Sequence, residues 1–120
     1  MTMRRPLEIV LVNLMPFKET TERQFATLLA SPRHDVRLRL VVPPGHVARH
    51  TQASHIAAHY TPWSMITGSP VDGLIVTGAP VEHLAFEQVD YWPWFQAMTD
   101  WAAGHAGHSL FICWAGQAML

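Results

Sequence analysis

The chain has 120 residues, 49% of them hydrophobic and 14% charged, which suits one globular domain with a core of modest size. A formal net charge of -1 leaves no basic footprint for nucleic acid or an anionic membrane surface, and no apolar run reaches the ~18 residues of a membrane span. The single cysteine, Cys113, excludes an internal disulfide and fits a reducing, cytoplasmic setting.

The elements follow in order along the chain. Leu7 to Asn13 is a near-continuous apolar run, the pattern of a strand buried on both faces of a parallel sheet, and Pro16 closes it. Glu8, Asn13 and the lack of a small-residue cleavage site set it apart from a secretion signal. Thr20, Thr21 and Glu22 carry helix-start chemistry, Phe25, Leu28 and Leu29 give a helical apolar spacing, and Ser31-Pro32 stops it. Val36 to Val42 alternates apolar residues with Arg37 and Arg39, as expected nearer a sheet edge. Between His46 and Pro70 only a short helix from Ala53 to His59 is legible.

Val71 to Thr77 is a third buried strand, ending in the turn Gly78-Ala79-Pro80. A helix is expected from Val89 to Ala103 with Pro93 in its first turn or at a kink, and Trp92, Trp94 and Trp101 as packing residues. Ser109 to Cys113 reads as a fourth strand, followed by a helix that begins with Ala115, Gly116, Gln117 and Ala118. The alternation predicts an α/β fold with an open, mostly parallel sheet. The chain stops seven residues after Cys113, inside that last helix, so residues 1–120 are expected to be a single partial domain without its C-terminal half.

Cys113 sits at a strand-to-helix junction, where open α/β sheets bind ligands. There a helix N-terminus favours a thiolate, and the backbone N–H of Trp114 points toward a developing oxyanion. An inert core cysteine fits the residues equally well. Lys18, just past the first strand, is either a cation meeting substrate or a solvated loop lysine. His55 and His59, four apart, share a helix face, but no third ligand is placed by spacing and no metal is expected. His83, after the third strand, is a candidate neighbour of Cys113.

Four segments carry a resemblance: Asn13-Leu-Met-Pro-Phe-Lys18, Thr21-Glu-x-Gln-Phe25, Asp72 to Glu82, and Cys113-Trp-Ala-Gly-Gln-Ala118. Thr51, His55, Tyr60, Tyr91-Trp92 and Asp100-Trp101 fit the same pattern. Together, in order, they resemble the homoserine O-acyltransferase family of methionine biosynthesis. The resemblance implies a fold similar to class I glutamine amidotransferases (a flavodoxin-like sheet) and a Cys113 acyl-thioester. It implies acetyl-CoA as co-substrate, no bound cofactor and homoserine as acceptor, while the near-neutral charge leaves no nucleic-acid or membrane partner expected. A homodimer is compatible with it.

Glu82 stands where acetyl-CoA users of the family carry glutamate and succinyl-CoA users glycine; a carboxylate there repels the second carboxylate of a succinyl group. The family's assisting histidine and glutamate belong to its C-terminal half, so little or no turnover is expected of these 120 residues alone. A succinyl-CoA or serine-accepting variant, a glutamine amidotransferase-like hydrolase and a non-catalytic truncated product are the other readings. The amidotransferase pattern Gly-x-Cys-x-Gly is not met, since Phe111 and Ala115 occupy the glycine positions.

Overall fold

A computed structural model describes residues 5–30, 32–46, 50–81 and 84–119. Four strands, β1 (Leu7–Val12), β2 (Val36–Val41), β3 (Val71–Val76) and β4 (Ala106–Phe111), form one sheet in the order β2-β1-β3-β4. Every pairing is parallel. The helices are α1 (Lys18–Leu29), α2 (Ala53–His59), the one-turn α3 (Trp63–Ile66), α4 (Trp92–His105) and α5 (Trp114–Ala118). The α/β expectation holds, and β2 is an end strand of the sheet, as its alternating arginines predicted.

The chain leaves β1 toward β2 and later returns beside β1 as β3, so the strand order reverses between β1 and β3. That reversal opens a crevice at the carboxyl ends of the strands, the usual ligand position in such sheets. The turns after β1, β3 and β4 all reach this edge.

Strand alternation divides the core. Val10, Val12, Leu74 and Val76 join Phe95, Met98 and Ala102 of α4, Ile66 of α3 and Trp114 of α5 in one apolar cluster. Trp92, Trp94 and Trp101 pack against that cluster partly buried; Trp63 meets Trp94 and Trp101 edge-on at 5.4 and 5.2 Å. The tryptophans are packing residues, as expected. Leu11 and Asn13 are fully buried and lie outside this cluster. At the opposite end of the sheet, Asp72 accepts two hydrogen bonds from the Arg5 guanidinium (3.1 and 2.8 Å) and one from the Glu8 backbone N–H (2.7 Å). Arg5 holds the Asp72 carboxyl below its ordinary range, and the motif aspartate therefore fastens β3 to the start of β1.

Several boundaries differ from the expectation for local reasons. Helix α1 begins at Lys18, ahead of the threonines, and uses no side-chain cap. Its buried members are Lys18 and Thr21; Phe25 and Leu29 are half-buried and Leu28 is 75% exposed, so the apolar spacing marked the inner face only in part. Helix α4 starts at Trp92, with Pro93 in the first turn, where its missing N–H costs nothing. Strand β4 starts three residues earlier than Ser109 and ends at Phe111, because Ala106 and His108 are carried by their pairing with Val71 and Gly73 of β3. Gly107 to Leu110 are exposed, Leu110 by 54%.

Candidate active site

Ile112 donates its backbone N–H to Val76 at 3.0 Å and so ends the sheet, leaving Cys113 in the corner before α5. Cys113 has φ 51° and ψ -115°, and among the described residues it is the non-glycine residue with positive φ. Such a conformation costs on the order of 1–3 kcal/mol and persists only where the surroundings impose it. Here they do. Trp114 is 2% exposed and packs on Phe95, Tyr91 and Phe86 at ring distances of 5.3, 6.0 and 6.0 Å. The Ala115 N–H bonds Ile112 O at 3.1 Å and Gln117 N–H bonds Cys113 O at 3.1 Å. The corner is pinned from both sides, and the thiol faces outward.

Two glycines let the corner close. A Cβ on Gly116 would lie 3.1 Å from the Phe111 carbonyl oxygen, so this glycine permits the return of α5 against β4. A Cβ on Gly78 would lie 3.3 Å from the Cys113 Cβ and 3.9 Å from the Met15 sulfur. Gly78 therefore brings the turn after β3 against the cysteine, with Met15 from the turn after β1 beside it. Cys113 is exposed in this chain, where an inert core cysteine would be buried. The backbone N–H of Trp114 has no acceptor among the described residues, as an oxyanion donor requires.

Lys18 is 1% exposed and is neither a loop residue nor solvated. Its ammonium donates to the backbone oxygens of Asn13 (2.9 Å) and Met15 (2.8 Å), folding back over the turn that precedes α1. Burial lowers its pKa to about 8, and the charge of Glu22 works against that shift. Asn13 is buried beside it; its amide donates to Lys18 O (3.3 Å) and to the Tyr60 hydroxyl (2.9 Å). Tyr60 in turn donates to Glu22 at 2.7 Å, and His55 Nε2 meets both Glu22 oxygens at 2.9 and 3.0 Å. Burial pushes the Tyr60 hydroxyl far above its ordinary value. The sequence marked Lys18, Glu22, His55 and Tyr60 only as members of the resembling segments; that they meet in one network was not legible from it.

His46, in the segment after β2, is half-buried, with its ring edge-on to Tyr91 at 6.2 Å. Burial and then the Lys18 charge hold its pKa below the ordinary histidine value. His55 and His59 lie 4.6 Å apart, but no group of three metal-capable side chains exists among the described residues. Glu82 and His83 lie outside the described residues. Among the described residues no helix is long and apolar enough to cross a membrane.

The chain is thus an α/β protein with an open, all-parallel sheet and a strained, exposed cysteine between its last strand and the helix that follows. Within that class, the family described as Homoserine O-succinyltransferase matches residues 2–120. The chain is 52% identical over 116 residues to a homoserine O-acetyltransferase of Rhizorhabdus wittichii, covering 97% of this chain and 37% of that protein. It is 49% identical over 114 residues to homoserine O-acetyltransferases of Brucella canis and Brucella suis, covering 95% of this chain and 37% of each. The chain belongs to this homoserine O-acyltransferase family, and it spans 37% of the length of these relatives.

Proposed function

We propose that this chain carries the nucleophile of a homoserine O-acetyltransferase in methionine biosynthesis. The observation that carries the reading is the exposed Cys113 held at positive φ between Gly78 and a Trp114 N–H that has no acceptor among the described residues. Cys113 Sγ attacks the thioester carbonyl of acetyl-CoA, the tetrahedral intermediate collapses, and CoA leaves as the thiol with a proton. The homoserine hydroxyl then attacks the Cys113 acyl-thioester, giving O-acetylhomoserine and the free cysteine. The Trp114 N–H donates to the oxyanion of both intermediates.

The family resemblance assigns the histidine base and its glutamate partner to the portion of the relatives' length that this chain does not span. The sheet order supports the class I glutamine amidotransferase-like, flavodoxin-like arrangement. Acetyl-CoA as donor is supported by Glu82 and by the names of the relatives. The cytoplasm is the compartment where the unpaired thiol stays reduced.

The full-length protein, mixed with acetyl-CoA and quenched in acid, should carry one acetyl group on the peptide containing Cys113, and Cys113→Ala none. An unmodified Cys113 peptide in the unaltered protein overturns the mechanism. Glu82→Gly should admit succinyl-CoA; exclusion of succinyl-CoA by that variant overturns the donor assignment while leaving the thioester intact.

A further inference from the structure

Lys18 and Glu22 lie one helical turn apart on α1 and do not touch, yet their surroundings are complementary. Lys18 is the only lysine of the chain and is 1% exposed. Its Nζ meets acceptors only, the backbone oxygens of Asn13 and Met15. Glu22 meets donors: the Tyr60 hydroxyl at 2.7 Å on one oxygen, and the His55 ring nitrogen at 2.9 and 3.0 Å on both. An ammonium fits the first setting and a carboxylate the second. Asn13 joins the two, donating to Lys18 O and to the same Tyr60 hydroxyl that donates to Glu22.

We infer that Glu22, clamped by Tyr60 and His55, is the counter-charge that keeps buried Lys18 an ammonium, making Glu22 a positioning residue for the turn beside Cys113. The chain of effect is short. A charged Lys18 holds the carbonyls of Asn13 and Met15; Met15 borders Gly78, and Gly78 borders Cys113. A neutral amine has one fewer donor and no charge with which to hold two carbonyls, so loss of the proton slackens this local contact even as it relieves the cost of burying the charge.

The titratable groups bearing on Lys18 are Glu22 on its own helix and His46 from the segment after β2, with Tyr60 reaching it through Asn13. His55 on α2 faces Glu22 and, at 3.5 Å, Glu19. His46 is neutral above neutral pH and adds no charge in the range where Lys18 titrates.

One lysine makes the test direct. Expressed with ε-13C lysine, the chain gives a single side-chain lysine signal, and its pH titration reads Lys18 whether or not Cys113 is ever acylated. The unaltered chain should titrate near pH 8. Glu22→Gln should move the midpoint down by about one pH unit, the usual order for removing a nearby opposite charge. Glu19→Gln, which changes an exposed carboxylate of the same helix, should leave it in place. Where far-UV circular dichroism shows Glu22→Gln unfolded, Glu22→Asp carries the test, with a downward shift of about half a unit as the carboxylate recedes. A midpoint unchanged in whichever of these variants folds overturns the inference, as does a Glu19→Gln shift equal to that of Glu22→Gln.

Discussion

At the end of β1 the chain turns into α1 on a bed of hydrogen bonds; at the end of β4 it turns into α5 on a bed of aromatic rings. The first corner is polar and closed: Asn13, Lys18, Tyr60 and Glu22 satisfy one another. The second is apolar beneath and open above, with Trp114 wedged among Phe86, Tyr91 and Phe95 while Cys113 faces out in a strained conformation. The contrast separates support from reactivity. A hydrogen-bonded corner fixes atoms in place, whereas a ring-backed corner can hold one residue under strain without offering its thiol a competing partner.

Breaking the aromatic bed should be the largest effect. Trp114→Ala removes the ring under the cysteine and should cost about 3–5 kcal/mol, read by urea unfolding, with the Cys113 corner relaxing as its wedge is lost. Next comes pH. Because Lys18 titrates near 8 in the fold and near 10.5 when unfolded, the unfolded chain binds the extra proton between those values and stability climbs with pH, by at most about 3 kcal/mol. Tyr60 and Tyr91 act oppositely above pH 10, since burial raises both hydroxyls, Tyr91 to about 12, and the fold then holds protons that the unfolded chain gives up. Thermal melts should therefore peak close to pH 10, and Lys18→Met should flatten the rise below it.

Tyr60→Phe breaks the polar corner at its centre. It strips Glu22 of a donor and the Asn13 amide of an acceptor, for a cost of about 1–3 kcal/mol by the same unfolding measurement. The smallest effect sharpens the comparison, because it should have the opposite sign. Cys113→Gly relieves the positive φ and should stabilise the chain by about 1 kcal/mol after the entropy cost of glycine. A destabilised Cys113→Gly variant would mean that the corner stores no strain.

What the sequence made legible follows the same division. Strand β1 was readable because a β-branched run needs no partner to declare itself, and the cysteine corner because a strand-to-helix junction is a local pattern. The start of α1 was misplaced because Lys18 bonds the turn through its own side chain, where the threonines merely offered commoner cap chemistry. Strand β4 was placed late because the pairing of Gly73 with His108 extends it through residues of weak strand preference. Gly78 and the pairing of Glu22 with Tyr60 were invisible for one reason: each joins residues more than thirty positions apart.

The burial of a solitary lysine also turns the chain into its own reporter. An amine-directed reagent has one side chain to find here, and it is sealed within the turn that α1 grows from. Modification at that position waits for the turn to open, so its rate clocks the opening of the first corner while alkylation of Cys113 samples the second.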